Sequence, residues 1–391
     1  MNLKQEIAEL EDELIELRRD FHRHPELGWQ ETRTAGIVAE YLRDLDLEVE
    51  EEVAKTGVVG LLQGSKPGPT LILRADMDAV PVKEQNDVPY RSQNEGVMHA
   101  CGHDAHTAML MVAAKILSRR REQLAGNIKF VFQPNEENEA ARHMIEEGLM
   151  EDPEVDAAVG AHIWSPLASG KIAVSEGAVM GGLCEFVIDL KGSGGHTSAP
   201  HMSRDPILTG SSIIQKAQQI QTREIDPMLA TTIVFGQFEA GHSTNTIPET
   251  ARLKGTLRYL YQGGPESEEK PRERLRRIVD GVCTTDGIEY ELEYPVVTPP
   301  VYNDPGLAGE LKETAAGIVG RENLDDYSCL AGEDFGVFSS YVPAVFFFLG
   351  TGNEDKGTDF PHHHARFDID EDVLKYGVEM HVRAAQNYLG E

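Results

Sequence analysis

Ile128-Lys129-Phe130-Val131-Phe132-Gln133-Pro134-Asn135-Glu136-Glu137 reads as a strand that ends at a proline and delivers two adjacent carboxylates. A short, nearly continuous apolar run is the pattern of a strand covered on both faces. Helical spacing resumes over 138–148, and another apolar run at 155–161 predicts the next strand. Upstream, 57–62 and 70–75 read as buried strands, with helices over 31–45 and 104–120. Ile7, Leu10, Leu14, Leu17 and Phe21 recur at helical spacing and predict one amphipathic helix over 3–22, stopping near Pro25. Strands alternating with helices argue an α/β domain with a largely parallel sheet.

The pattern changes after Gly181-Gly182. Strand 184–191, helix 204–222, strands 230–239 and 249–260, helix 266–283 and strand 286–294 form a β-α-β-β-α-β series, the split βαβ or ferredoxin-like arrangement. The proline-rich stretch from Pro295 to Pro300 marks a return to the first domain, completed by strand 343–349 and helix 370–388. The expected fold class is therefore α/β: a mixed, largely parallel sheet flanked by helices, with an inserted α+β ferredoxin-like domain. Residues 1–182 and 295–391 form the discontinuous larger domain, and 183–294 the insertion. A chain of 391 residues suits two domains better than one core.

Composition narrows the function classes. Hydrophobic residues make up 40% and aromatics 7%, as in a soluble globular protein. No apolar run approaches the roughly 18 residues of a membrane span. Met1-Asn2-Leu3-Lys4-Gln5-Glu6-Ile7 lacks the basic-then-apolar pattern of a signal peptide. Four scattered cysteines suggest no disulfide framework, so a cytoplasmic setting is expected. The net charge of −30, from 66 acidic against 36 basic residues, excludes nucleic acid as a partner. That acidity is spread along the chain, which fits either a coat adapted to a salty cytoplasm or an ordinary acidic enzyme.

The chemistry-bearing residues collect at strand ends. Asp76 and Asp78 follow 70–75, Glu136 and Glu137 follow 128–133, His162 follows 155–161, and His363 lies in the loop after 343–349. Ligand sites of open α/β sheets lie beyond the carboxyl ends of strands. Ala100-Cys101-Gly102-His103-Asp104-Ala105-His106 adds a thiol and an imidazole two residues apart, before the expected helix. Thiol, imidazole and paired carboxylates are the ligands of a transition-metal site with its own general base. Two alternatives stand beside this: a buried cysteine with a packing histidine, and a nucleophilic Cys–His pair, which would have no need of Glu136-Glu137. Adjacent carboxylates repel unless a cation offsets one of them, leaving its neighbour to move protons; a solvated acidic loop is the plainer reading. His162 alone would more often be a packing residue, and one of His362, His363 and His364 suits a ligand. Asp76, Asp78, Asp104 and His106 are candidates for orienting the ligands, with helix capping the alternative for Asp104. In the insertion, His196, Asn245 and Arg258 have the chemistry to hold a substrate carboxylate, although on the residues alone turn and surface roles are the better reading of them.

With these motifs in hand, the chain resembles the aminoacylase/carboxypeptidase metallopeptidase family, on its amidohydrolase branch with hippurate hydrolase, auxin-amino acid hydrolases and N-acetyldiaminopimelate deacetylase. The resemblance spans nearly the whole chain. It is carried by Arg19-Asp20-Phe21-His22-Arg23-His24-Pro25-Glu26-Leu27, Leu73-Arg74-Ala75-Asp76-Met77-Asp78-Ala79-Val80-Pro81 and Met98-His99-Ala100-Cys101-Gly102-His103-Asp104-Ala105-His106. It continues through Gln133-Pro134-Asn135-Glu136-Glu137, Gly194-Gly195-His196, Asn245-Thr246-Ile247-Pro248, Gly332-Glu333-Asp334-Phe335 and His363-His364-Ala365-Arg366-Phe367-Asp368. Two departures sit beside the site: Asn138-Glu139-Ala140-Ala141 stands where the family has a glycine-rich stretch, and Asn135 replaces a small residue.

The resemblance implies that Cys101, His103, Glu137, His162 and His363 hold two divalent ions per subunit, His363 being chosen because the family ligand stands four residues before the Phe, here Phe367. Zn²⁺ is favoured by the thiolate and imidazoles, with Mn²⁺, Co²⁺ and Ni²⁺ as alternatives. Glu136 would be the general base on a metal-activated water that cleaves the amide of an N-acyl amino acid. His196 would stabilise the oxyanion, Arg258 and Asn245 would orient the substrate carboxylate, and the insertion would close as a lid. A dipeptidase or carboxypeptidase with the same metals is the nearest alternative, and a metal-dependent binding protein without turnover the more distant one. No membrane partner is expected, and an exposed edge strand of the insertion leaves room for a homodimer or higher homo-oligomer.

Overall fold

The runs richest in Val, Ile, Leu and Phe pair with one another, and the charged segments fall at the margins. The computed structural model describes residues 2–261 and 265–390. It divides into two compact units, one comprising Met1–Gly177, Tyr302–Ser328 and Val337–Glu391, the other Ala178–Val301 and Cys329–Gly336.

The first unit is built on an eight-stranded sheet in the order Glu48–Val53, Gly57–Gln63, Ala125–Gln133, Lys66–Asp76, Ala157–Ala168, Ala344–Gly352, Ile172–Ala173, Leu324–Asp325. The four central strands, Ala125–Gln133 to Ala344–Gly352, run parallel; the pairings that flank them are antiparallel, except that Leu324–Asp325 lies parallel to Ile172–Ala173. Both faces of the central strands are buried, which is why their sequences read as unbroken apolar runs. Helix His103–Ser118 is apolar all round and nearly every residue in it is buried, as a helix enclosed by its own domain must be. It packs on helices Glu11–Arg23 and Leu374–Leu389 and on strand Lys66–Asp76.

Two local expectations need correction, and one strand is not expected at all. The first helix is two, Leu3–Glu9 and Glu11–Arg23, because Leu10 leaves helical geometry (φ −104°, ψ 4°) to bury its side chain in the core. His162 does not end its strand: Ala157–Ala168 runs on, keeping register with Ala344–Gly352, so His162 lies mid-strand opposite Phe348. Glu48–Val53, a strand of four glutamates and two valines, occupies one sheet edge without any sequence signal.

In the second unit, Ala230–Ala240, Thr250–Leu260, Gly182–Lys191 and Glu289–Glu293 form an antiparallel sheet in that order, with Val297–Thr298 also paired to Gly182–Lys191. Helices Pro206–Gln219 and Pro265–Asp286 complete the β-α-β-β-α-β series, and Phe186, Ile188, Leu190, Ile213, Leu253 and Val279 meet in its core. The unit reaches past 183–294 because Val297–Thr298 extends the sheet and Cys329 bridges Met180. Among the described residues no helix is long and apolar enough to cross a membrane.

Candidate metal centre

Four segments of the first unit converge. Strand Lys66–Asp76 ends in Asp76 and leads to Asp78; strand Ala125–Gln133 leads to Glu136 and Glu137; Ala157–Ala168 carries His162; and the loop after Ala344–Gly352 carries His363. Cys101 and His103 flank Gly102, the N-cap of helix His103–Ser118. Gly102 has φ +87°, and a Cβ there would lie 2.1 Å from Ile163 Cδ1. Only glycine allows both that turn and that approach.

The donor atoms of Cys101, His103 and His162 lie within 4.8 Å of one another, as do those of Cys101, Glu137 and His363, and those of His103, Glu136 and Glu137. The first two groups share the Cys101 thiol. His162 Nε2 is 3.5 Å from Cys101 Sγ, and His363 Nε2 is 2.9 Å from Glu137 Oε1. His363 takes a left-handed backbone (φ +63°), a conformation that costs a non-glycine residue energy, and its N–H donates to the Ala100 carbonyl at 2.8 Å.

The free faces of the imidazoles are set by what their other nitrogens do. His103 Nδ1–H donates to Asp78 Oδ1 at 3.1 Å, leaving Nε2 buried and without a hydrogen bond of normal geometry. His162 Nδ1–H donates to the Ile163 carbonyl at 2.5 Å, which makes Nε2 the lone-pair side. Such an orphaned buried nitrogen, beside a thiol and carboxylates, is what a divalent cation would satisfy. His106 differs. Its Nδ1–H donates to Asp76 Oδ1 at 2.6 Å while its Nε2 accepts the Ile163 N–H at 2.9 Å. Both nitrogens are used, so His106 supports the site rather than offering a ligand.

Electrostatics agree. Burial opposes charge on His103, yet Asp76 and Cys101 beside it raise its pKa well above the ordinary imidazole value. Hydrogen bonds to Cys101 and Glu137 raise His363 to about 10. Burial and the neighbouring Glu137 push the Cys101 thiol up. Burial, with His106 and His362 nearby, pushes His162 well below the ordinary value, so its ring is neutral. The cluster thus holds protons on His103, His363 and Cys101 that a bound cation would displace.

Asp78 ties the carboxylates to this frame. Its Oδ1 accepts the Glu136 N–H at 3.0 Å and its Oδ2 the Glu137 N–H at 3.2 Å. Behind helix His103–Ser118, Arg18 is fully buried and paired with Asp104 at 3.0 Å, Asp368 at 2.9 Å and Glu371 at 3.1 Å. His22 bonds Asp104 at 2.7 Å and lies 3.3 Å from Glu84. Sequence reasoning gave Arg18, His22 and Glu84 no roles, although His22 stands in a motif quoted above; their partners are remote in sequence. In the second unit, His196 is exposed, pairs with Thr246 across a two-stranded ribbon and has Asn245 next to it in the chain fold, the Thr197 N–H donating to the Asn245 carbonyl at 3.2 Å. Arg258 lies on strand Thr250–Leu260 with Nη1 donating to the Leu330 carbonyl at 2.9 Å.

Comparison with known proteins gives this geometry its context. The model of peptidase family M20/M25/M40 matches residues 72–387. The chain belongs to this family. It is 40% identical over 391 residues to thermostable carboxypeptidase 1 of Saccharolobus solfataricus, covering 99% of this chain and 98% of that protein. Hippurate hydrolase of Campylobacter jejuni is 35% identical, with 100% of both chains covered. The crystal structure of a dinuclear metal-binding M20 peptidase from Bacillus subtilis superposes with a TM-score of 0.84 at 32% identity, covering 98% of this chain and 99% of that one. As an M20 protein the chain is a metal-dependent amidohydrolase or peptidase, and its donor groups suit two divalent ions.

Proposed function

We propose that the chain hydrolyses the amide bond of N-acyl amino acids, releasing a carboxylic acid and a free amino acid. The observation that carries this reading is the position of Glu136: its carboxylate shares a group with His103 and Glu137, while Cys101, His162 and His363 complete the neighbouring donor groups. Cys101, His103, Glu137, His162 and His363 would hold the two ions, Zn²⁺ first among the candidates given a thiol and imidazoles. When bound, such ions acidify water and polarise an acyl oxygen.

The chain's own residues supply the rest. Glu136 takes a proton from the attacking water and returns it to the departing amine, a role worth about 10²–10⁴-fold. Asp78 fixes the backbone of Glu136 and Glu137, and Asp76 fixes the ring of His106. We assign His196 to the oxyanion and Asn245 and Arg258 to the substrate carboxylate, with the second unit as lid; their donor chemistry and the family motifs around them support this. A cytoplasmic setting is supported by the four free cysteines.

Hippurate hydrolase, at full coverage, favours acyl amino acids; the thermostable carboxypeptidase relative favours a second reading, peptide cleavage by the same centre. Metal-loaded protein assayed on a panel of N-acyl amino acids and free-amine dipeptides decides. Turnover of the acyl amino acids is expected. Turnover of dipeptides alone supports the peptidase, and stoichiometric metal without turnover of either overturns both.

A further inference from the structure

We infer that Glu31, which lies outside the donor set, is a positioning residue that aims Glu136; the inference rests on the reading of Glu136 as the proton carrier. Glu31 is fully buried. Its Oε1 accepts the Asn135 N–H at 2.8 Å and its Oε2 accepts the Thr56 hydroxyl at 2.6 Å. The next two amides of the same loop, those of Glu136 and Glu137, donate to Asp78. Three consecutive N–H groups are thus held by two carboxylates from separate segments, which fixes the direction in which the Glu136 side chain leaves the backbone.

The local sequence offers Glu31 a different use, and the fold declines it. Glu31 stands at the N-cap of helix Thr32–Asp44, where a carboxylate normally accepts the first free amides, yet it makes no such bond. Glu26 takes that task instead, accepting the Arg33 N–H at 3.0 Å and the Thr34 N–H at 2.8 Å. Glu31 is thereby released to reach a loop 104 residues away. Burying a carboxylate is costly, and burial raises the Glu31 pKa. Such a cost is retained where a specific backbone pose depends on it.

The pose is one that needs holding. Asn135 is left-handed (φ 45°, ψ 49°) and buried, and its side chain sits against Gly28, where a Cβ would come within 1.8 Å of Asn135 Oδ1. Without Glu31 the Asn135 N–H would be an unsatisfied buried donor in a strained conformation, and the peptide leading into Glu136 would relax. A displacement of about 1 Å at a reacting group costs on the order of 10²-fold.

The test compares Glu31→Ala, Glu31→Gln, Glu136→Gln and the double variant Glu31→Ala/Glu136→Gln, using the N-acyl amino acid that wild type turns over fastest. For Glu31→Ala, kcat should fall about 10–100-fold, with KM nearly unchanged and metal per chain, by elemental analysis, equal to wild type. Glu31→Gln should recover most of that loss, since its carbonyl can accept the Asn135 N–H while its amide donates to the Thr56 oxygen. In the Glu136→Gln background, Glu31→Ala should cost nothing further, because a residue acting through Glu136 has nothing left to aim. Wild-type kcat in Glu31→Ala, a loss that tracks missing metal, or a further loss in the double variant as large as that of Glu31→Ala alone would each overturn the inference while Glu136→Gln keeps its reduced but measurable rate. Wild-type turnover by Glu136→Gln would instead overturn the parent reading. Should Glu31→Ala fail to fold, Thr56→Val removes only the hydroxyl that fixes Glu31; an unchanged kcat there overturns the inference as well.

Discussion

Asp78 joins His103 to Glu136 through a single oxygen: Oδ1 accepts the His103 Nδ1–H at 3.1 Å and the Glu136 N–H at 3.0 Å. Ring tautomer and loop position are therefore set by one side chain. Asp78→Ala should weaken divalent-metal affinity by roughly 10–100-fold and lower kcat in parallel. Competition with a chelator of known affinity measures the first, and wild-type affinity in the variant would remove Asp78 from this role.

Metal uptake should expel protons. The His363 ring is held protonated up to about pH 10, and burial raises the Cys101 thiol, yet both must be deprotonated to act as ligands. Affinity should accordingly climb as pH rises from about 6 towards 9. Titration calorimetry in buffers of different ionisation enthalpy reads the protons released; pH-independent binding would contradict the proton-filled cluster.

Arg18 joins the helix bearing His103 to the segment after His363, through Asp104 on one side and Asp368 and Glu371 on the other. Removing the cation leaves three carboxylates without it, two of them in or near the interior. Arg18→Met should destabilise by about 3–5 kcal/mol, the cost of breaking a buried pair. Urea unfolding of the metal-free protein measures this, and a loss under about 1 kcal/mol would mean the carboxylates find other partners.

Acid and base should erode the same network from opposite sides. Burial works against charge on Glu84, but His22 and the Ser92 and Asn86 donors hold its carboxyl below the usual range. Its contribution is complete above the unfolded value, near pH 4.3, and is lost as pH falls through the lowered folded one. Burial and Arg18 oppose charge on His22, yet Asp104 and Glu84 raise its pKa, so its contribution is complete below about pH 6.5 and lost as pH rises through the folded value. Glu84→Gln should therefore be less stable than wild type near pH 6, the gap narrowing as pH falls through 4. A gap constant with pH would rule the linkage out.

Much of this could be read from the chain because its signals are local. Strands Ala125–Gln133 and Ala344–Gly352 declare themselves by apolar runs that only burial on both faces explains. Cys101, His103, Glu136 and Glu137 stand out because their chemistries are crowded into short motifs. What escaped was of longer range or contrary to composition. Glu31 and Arg18 look like ordinary surface residues of amphipathic segments, and only the fold shows their partners 104 and up to 353 positions away. Helix Pro305–Val319 hides its amphipathic pattern among glycines and alanines. Strand Glu48–Val53 defeats prediction because its glutamates mask the alternation of a half-covered strand.

Those glutamates have an effect at high concentration. The larger sheet ends on one side in Glu48–Val53 and on the other in Leu324–Asp325, a mere two residues long. One margin repels a copy of itself, and the other is too short to template a neighbour. Neither margin of this sheet therefore offers crowded molecules a template for edge-to-edge pairing.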